Sequence, residues 1–300
     1  MSAGSIPFNR ELEFEYGAPA QISPLIRRVV ANNPSSFTLH GTNTYIVGRG
    51  EVAVIDPGPE DETHTQSLLA ALKGEKISHI LISHTHTDHS PGAKSLAHAT
   101  GAPVIGARAR PIADGAKTVE AGEPNFSPDI ELADGDSFKG DGWTLTAIYT
   151  PGHMSNHHCF ALAEENALFS ADHVMGWNTT IVSPPDGNMT EYFDSLDICL
   201  KRDDVIYHPG HGPAIESPRS FVQAYLNHRR MREDEITQCL KDGVETIADM
   251  VRRIYTHLPE TMHGAASRSV FAHMEHMVDS GRAACDGTPA VGSSYRLSDA

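Results

Sequence analysis

The stretch His84-Thr85-His86-Thr87-Asp88-His89 puts three imidazoles and a carboxylate into six residues. These groups suit a divalent cation. On strand-like alternation His84, His86 and Asp88 point to one side and His89 to the other. Two imidazoles on one side grip one ion, and Asp88 with His89 reach a second nearby. Six residues cannot fill two such sites. The rest of the chain offers single candidates beside turns: His153 in Thr150-Pro151-Gly152-His153, Asp172 after Ala167-Leu168-Phe169-Ser170-Ala171, and His211 in Pro209-Gly210-His211-Gly212. Taken singly, His153 and His211 also read as ordinary turn histidines in a chain with 18 of them.

The apolar pattern shows what must position these groups. Ile77 to Ile82 reads as a buried strand, and Ala93 to Ala99 as a helix after a Ser-Pro-Gly turn. Upstream, Ile26–Val30, Thr44–Val47 and Val52–Ile55 read as strands, with Gly48-Arg49-Gly50 as a hairpin turn. Residues 1–24 are polar and irregular and wrap the first sheet. Asp56, before Pro57, reads either as a turn former or as an acceptor holding a metal-binding histidine in place. Thr63 to Lys73 is helical, with Thr63 as the N-cap and Gly74 as the stop. After a short strand at Pro103-Val104-Ile105, a long loop to Pro128 is expected to border an active cleft. Trp143–Tyr149, Ala167–Ala171 and Asp204–Ile206 read as strands leading to His153, Asp172 and His211. Trp177 and Pro184-Pro185 form either a wall of the substrate cleft or a loop packed on the core. Glu191 to Leu200 is a helix.

Composition sets limits. Three hundred residues with 39% apolar content allow one large or two ordinary packed domains. A net charge of −16 argues against whole-chain affinity for nucleic acid or anionic membrane. The four cysteines are far apart and read as reduced thiols of a cytoplasmic protein. Met1 to Tyr16 holds no apolar signal segment, and no run of 18 apolar residues offers a membrane span.

From Pro218 the pattern changes. Phe221–Leu240, Ile247–Tyr255 (capped by Thr246) and Thr261–Val278 (stopped by Gly281) read as helices. Ala283–Leu297 reads as a hairpin. Helices followed by a hairpin suggest a small winged helix, dividing the chain into residues 1–218 and 219–300. The second part holds ten Lys/Arg against eleven Asp/Glu. His263, His273 and His276 share a helix, and no nearby carboxylate or Cys completes a site. Arg229, Arg230, Arg232, Arg252, Arg253 and Arg268 are available to phosphate, or else pair with acids such as Glu233, Asp234 and Glu235.

The order H-x-H-x-D-H, Gly-His, Asp, Pro-Gly-His resembles the metallo-β-lactamase superfamily. The resemblance implies that His84, His86 and His153 bind one metal, Asp88, His89 and His211 a second, and Asp172 bridges them. It also implies an α+β fold, an αββα sandwich, which periodicity alone does not fix. Thr38-Leu39-His40-Gly41-Thr42-Asn43-Thr44-Tyr45, Pro184-Pro185-Asp186-Gly187 and Tyr225-Leu226-Asn227-His228-Arg229, joined to the helical tail, look like the β-lactamase-like protein 2 family. That family couples such a domain to a C-terminal winged helix, and endoribonuclease activity is attributed to its mitochondrial animal branch. His40, like Asp56, is a candidate to buttress a ligand.

Imidazole and carboxylate ligands suit zinc, with iron or manganese as alternatives. The expected activity is hydrolysis by a metal-activated hydroxide that Asp88 orients. By resemblance the substrate is single-stranded RNA, with thioesters, lactones and small esters as alternatives. Two other readings stay open: a mononuclear-iron persulfide dioxygenase sharing the motif, and a nucleic-acid-binding regulator.

Overall fold

The computed structural model describes residues 6–112, 120, 122–256 and 258–298. Residues 113–119, within the loop expected to border the cleft, lie outside that set. One sheet runs in sequence order: β1 (Ala20–Gln21), β2 (Ile26–Val30), β3 (Asn43–Arg49), β4 (Glu51–Ile55), β5 (Lys76–Leu81), β6 (Val104–Gly106) and β7 (Ile130–Glu131). It starts antiparallel and turns parallel at β4, where α1 (Glu62–Ala71) and α2 (Gly92–Thr100) supply the crossovers. The second sheet has the order β12-β11-β10-β9-β8: β8 (Ser137–Gly140), β9 (Trp143–Tyr149), β10 (His158–Leu162), β11 (Ala167–Ala171) and β12 (Ile206–Pro209). α3 (Met189–Leu200) lies between β11 and β12 in the chain.

Alternation sorts the side chains between layers. On β4, Ala53 and Ile55 face the second sheet, where Trp143, Leu145 and Ala147 of β9 meet them. Val52 and Val54 face the other way, onto Leu68 of α1 and Leu96 of α2. Burial on both faces explains why β4 reads as a continuous apolar run. The outer face of the second sheet carries Cys159 and Leu168, covered by Tyr192 and Leu196 of α3. Two facing sheets with helices outside make the αββα sandwich, and the fold is α+β.

Of the expected boundaries that shift, three have a plain local cause. The hairpin turn contracts to Gly50, because Arg49 and Glu51 still pair. The N-cap of α1 is Asp61, whose carboxylate accepts from Thr63 N at 2.8 Å, so Thr63 lies inside the helix. Asp204 and Val205 precede the last strand instead of forming it: Asp204 is held by Arg202, and Val205 is 58% exposed.

Beyond the sandwich come α4 (Pro218–Lys241), α5 (Ile247–Ile254), α6 (His263–Asp279) and the antiparallel pair β13 (Ala283–Cys285) and β14 (Tyr295–Leu297). Thr246 caps α5, accepting from Asp249 N. Met250, Val270, Met274 and Tyr295 centre their own core. α4 crosses position 219 and serves both cores: Phe221, Val222 and Tyr225 pack on the sandwich, Ile236 and Cys239 on the C-terminal helices. No helix among the described residues is long and apolar enough to cross a membrane.

Candidate metal centre

β5 ends at Leu81, so the histidine stretch is not strand-like and alternation is not what sorts its side chains. It folds into turns, with His89 N and Ser90 N both bonding His86 O (3.0 and 3.2 Å). This turn brings Asp88 and His89 round to a different side from His84 and His86. The remaining candidates come from the second sheet. His153 lies in the turn after β9. Asp172 and His211 leave the neighbouring parallel strands β11 and β12 at the same end, tied by Gly210 N to Ala171 O at 2.9 Å. Gly210 is required here, since a Cβ would lie 2.5 Å from Asp172 Oδ1 and 2.7 Å from His89 Cε1.

The structure brings all seven residues together. Ligand atoms of His84, His86 and His153 lie within 4.8 Å of one another, as do those of Asp88, His89 and His211, and of His84, His89 and Asp172. Asp172 stands between the first two sets. Its Oδ2 is 3.4 Å from His211 Nε2 and 3.8 Å from His153 Nε2, and its Oδ1 is 3.6 Å from His89 Nε2.

Hydrogen bonds fix which ring nitrogen faces the centre. His153 Nδ1 donates to Ile181 O (2.6 Å) and His211 Nδ1 to Gly41 O (3.2 Å). His89 Nδ1 bonds Asp56 Oδ2 (3.0 Å), leaving Nε2 inward on all three rings. Asp56 both turns the backbone and meets His89. Its backbone turns at φ +49°, and its carboxylate accepts from Ser83 N (2.8 Å) and Ser83 Oγ (2.6 Å) as well as His89. His40 does not buttress a ligand: its Nε2 bonds Arg10 O and its ring packs on Phe14. The neighbouring Gly41 carbonyl faces His211 instead.

These inward nitrogens fit a cation. His86 Nδ1 is 3.0 Å from both His84 Nε2 and His153 Nε2, and His89 Nε2 is 3.3 Å from His211 Nε2. Buried Asp172 Oδ1 has no hydrogen-bond partner. On His89 and His211, whose Nδ1 atoms already donate, the facing Nε2 lone pairs form an arrangement that a cation between them stabilises. The electrostatics divide the centre. Burial and neighbouring imidazoles push His84 well below the usual histidine value and His86 to about 3. Burial opposes charge on His89 and His211 too, but Asp88 and Asp172 overcome it, raising His89 well above its usual value and His211 to about 10. The donors are imidazole and carboxylate, with no thiolate.

Trp177 is 4% exposed and walls a recess that contains His153 and Asp172. The loop after β6 covers another side: Glu123 N bonds Thr85 O (2.7 Å), and Gly122 pairs with His86. Glu120 escaped the sequence reading because its loop has no periodicity. It lines all three recesses around the centre, and burial raises its carboxyl.

The tail arginines lie away from the seven residues. Arg229 is buried, its Nη2 on Thr180 O and its guanidinium 5.1 Å from the Tyr192 ring, so it presents no surface to phosphate. Arg232 pairs with Glu235 at 2.5 Å, Arg252 with Asp249, Arg253 with Asp242, and Arg268 donates to Pro184 O at 3.1 Å. Arg230 lines an open recess beside Glu233 and Asp234. His273 and His276 do meet a carboxylate: Glu233 arrives from α4, at 3.3 and 2.6 Å, where sequence distance hid it.

A family model for the metallo-beta-lactamase superfamily matches residues 37–211, and one for the beta-lactamase associated winged helix domain matches residues 246–291. An atrochrysone carboxyl ACP thioesterase of Aspergillus fumigatus is 33% identical over 79% of this chain and 76% of its own. A beta-lactamase-like protein 2 homolog of Caenorhabditis elegans is 32% identical over 83% of each chain. A metallo-beta-lactamase family protein from Thermus thermophilus superposes with a TM-score of 0.74, at 20% identity, over 92% of this chain and 100% of that one. With the ligand-competent cluster in place, these likenesses assign the chain to the metallo-beta-lactamase superfamily, as a hydrolase-fold enzyme with a C-terminal beta-lactamase-associated winged helix.

Proposed function

We propose that the chain is a dinuclear metal-dependent hydrolase of acyl thioesters or esters. His84, His86 and His153 would hold one ion, Asp88, His89 and His211 the other, with Asp172 shared. Two divalent ions there would lower the pKa of a bound water towards about 7 and polarise an acyl oxygen. Asp88 keeps 22% of its side chain exposed, against 5% for Asp172, so its carboxylate faces the cleft and orients the attacking water. Asp56 and the Ile181 and Gly41 carbonyls hold the rings in register. Trp177 and Met154 exclude bulk water from the walls.

The observation that favours an acyl substrate over RNA is the lining of the cleft. Among the described residues, the three recesses around the centre are lined by no Lys or Arg, but by Phe37, Met154, Trp177 and Ile181 together with Asp88, Glu120 and Asp186. A polyanion would meet acids there. The thioesterase named among the relatives supports the thioester. Purified protein should contain two transition-metal ions per chain, hydrolyse an acyl-pantetheine thioester without consuming oxygen, and lose activity on chelation. RNA cleavage in place of thioester hydrolysis would overturn the substrate class, and oxygen uptake that tracks iron content would overturn the hydrolase mechanism.

A further inference from the structure

The recess holding His153 and Asp172 has a second cavity behind it. The wall of Phe37, Asn178, Thr179 and Ile181 is common to the recess and to this larger cavity of about 450 Å³. That cavity lies between the sandwich and the C-terminal helices. Val182 lines it from one side, and Tyr255, Leu258, Met262 and Ala265 from the other. Three large apolar side chains exposed to water converge on it: Phe8 (41%), Phe37 (38%) and Met262 (47%). Exposed apolar surface gathered in one concavity marks a binding site. Its arginines already have partners: Arg229 on Thr180 O, Arg232 with Glu235 and 4.3 Å from the Tyr255 ring, and Arg268 on Pro184 O. The volume falls within the roughly 300–1,000 Å³ of sites that enclose small organic ligands.

We propose that this cavity is the acyl subsite, taking a long apolar acyl chain whose carbonyl end passes Ile181 to reach the metal centre. The inference rests on the acyl-hydrolase reading above. A groove for a protein partner has no need to share a wall with the recess of the reacting centre, whereas an acyl subsite must adjoin it. The winged-helix part then acts as a gauge of chain length. Ala265, exposed near the start of α6, contributes nothing beyond Cβ and so leaves the far wall open. A bulky residue there would fill the cavity from the solvent side without touching the seven metal-centre residues.

The experiment measures binding first and turnover second, on the full chain with its metals bound. In calorimetry, decanoate should bind at least tenfold more tightly than butyrate, since each methylene that finds room is worth roughly fourfold in affinity. Ala265→Trp should weaken decanoate at least tenfold and leave butyrate unchanged. Met262→Trp, at another exposed position on the same wall, should do the same and serves if the first variant fails to fold. Equal affinity for the two acids in the native protein overturns the subsite, as does unchanged decanoate affinity in a folded variant. Turnover separates this proposal from the reading beneath it. If decanoate binding depends on position 265 but decanoyl-pantetheine is not hydrolysed, the subsite stands and the acyl-hydrolase reading falls. If acetyl- and decanoyl-pantetheine are hydrolysed equally by native protein and variant, the hydrolase reading stands and the subsite falls.

Discussion

Among the described residues, histidines are buried against carboxylates in two clusters, and the two are built on opposite principles. At the centre, imidazole nitrogens aim at one another across 3.0 to 3.3 Å, and Asp172 Oδ1 has no hydrogen-bond partner. Between α4 and α6, Glu233 takes His273 and His276 on Oε1 and Arg282 on Oε2 at 2.7 Å. There the acid answers each base, and the guanidinium supplies the positive charge. A cluster whose acid faces its bases is a structural staple, whereas one whose lone pairs converge is a receptor for a cation. Residue types alone would not separate the two, and the direction in which the nitrogens point does.

Removal of the shared carboxylate tests the cation receptor most directly. Asp172→Ala should strip metal from both halves of the centre and lower kcat/KM by at least about 10³-fold, because charge stabilisation worth several kcal/mol goes with it. Elemental analysis would show the metal content collapse. Full occupancy in that variant would remove Asp172 from its bridging place. Glu233→Ala should do the reverse, leaving metal content and turnover of folded protein intact while costing about 3 kcal/mol of stability, since Arg282 and His276 lose the partner of a buried network. Denaturant unfolding measures it.

The staple also predicts a pH dependence. Burial raises the Glu233 carboxyl, but hydrogen bonds from His273, His276 and Arg282 outweigh it and hold the group well below the usual glutamate range. Burial pushes His273 down to about 4, although its bond to Glu233 pulls the other way. In both cases the unfolded chain takes up protons more readily than the folded one, so stability falls as pH falls. For His273 the loss begins below its unfolded value of about 6.5. For Glu233 it begins below about 4.3. Glu233→Ala should flatten the acid limb of the unfolding curve, and an unchanged limb would show that other groups set it.

How far each cluster could be read from sequence follows from how it is assembled. The metal centre announces itself because four of its residues fall within one six-residue turn, and the other three sit next to Gly or at a strand end. Strand ends in β9 and β11 were legible because alternation and small residues mark them. The staple was illegible: Glu233 is 40 residues from His273, and nothing local links them. Glu120 was hidden by a loop without periodicity, and His40 lies one residue from Gly41, whose carbonyl and not the His40 imidazole makes the contact to His211. Arg229 looked like one more surface charge, and only the packing of α4 on Thr180 and Tyr192 shows it buried. Long-range pairing is what spacing leaves out.

A smaller effect tests the support of the centre without touching a ligand. Asp56→Asn keeps the shape but places an amide where Ser83 N, Ser83 Oγ and His89 Nδ1 all need an acceptor. Loss of such a partner typically costs about 10- to 100-fold in metal affinity. Competition with a chelator should show this loss. Unchanged affinity would leave Asp56 as a turn residue, held at φ +49° for the backbone alone.

The smallest effect is expected where charge is plentiful and exposed. Arg252 and Asp249 pair on the surface of α5, with side chains 66% and 53% exposed, and Arg253 pairs with Asp242. Such pairs contribute little, because water screens them and ordering two long side chains offsets the attraction. Replacing both arginines with glutamine should leave thermal stability, metal content and thioester turnover unchanged. The same variant tests the nucleic-acid reading of the tail. If these arginines touched phosphate, RNA affinity would fall steeply between about 50 and 200 mM salt, with a slope of roughly 0.7 per contact on a single strand, and the variant would flatten that slope. We expect no such slope in either protein, since the acids beside these arginines already hold them and the tail as a whole carries no excess of positive charge. A steep slope in the native protein that disappears in the variant would show that the pairs open to receive RNA.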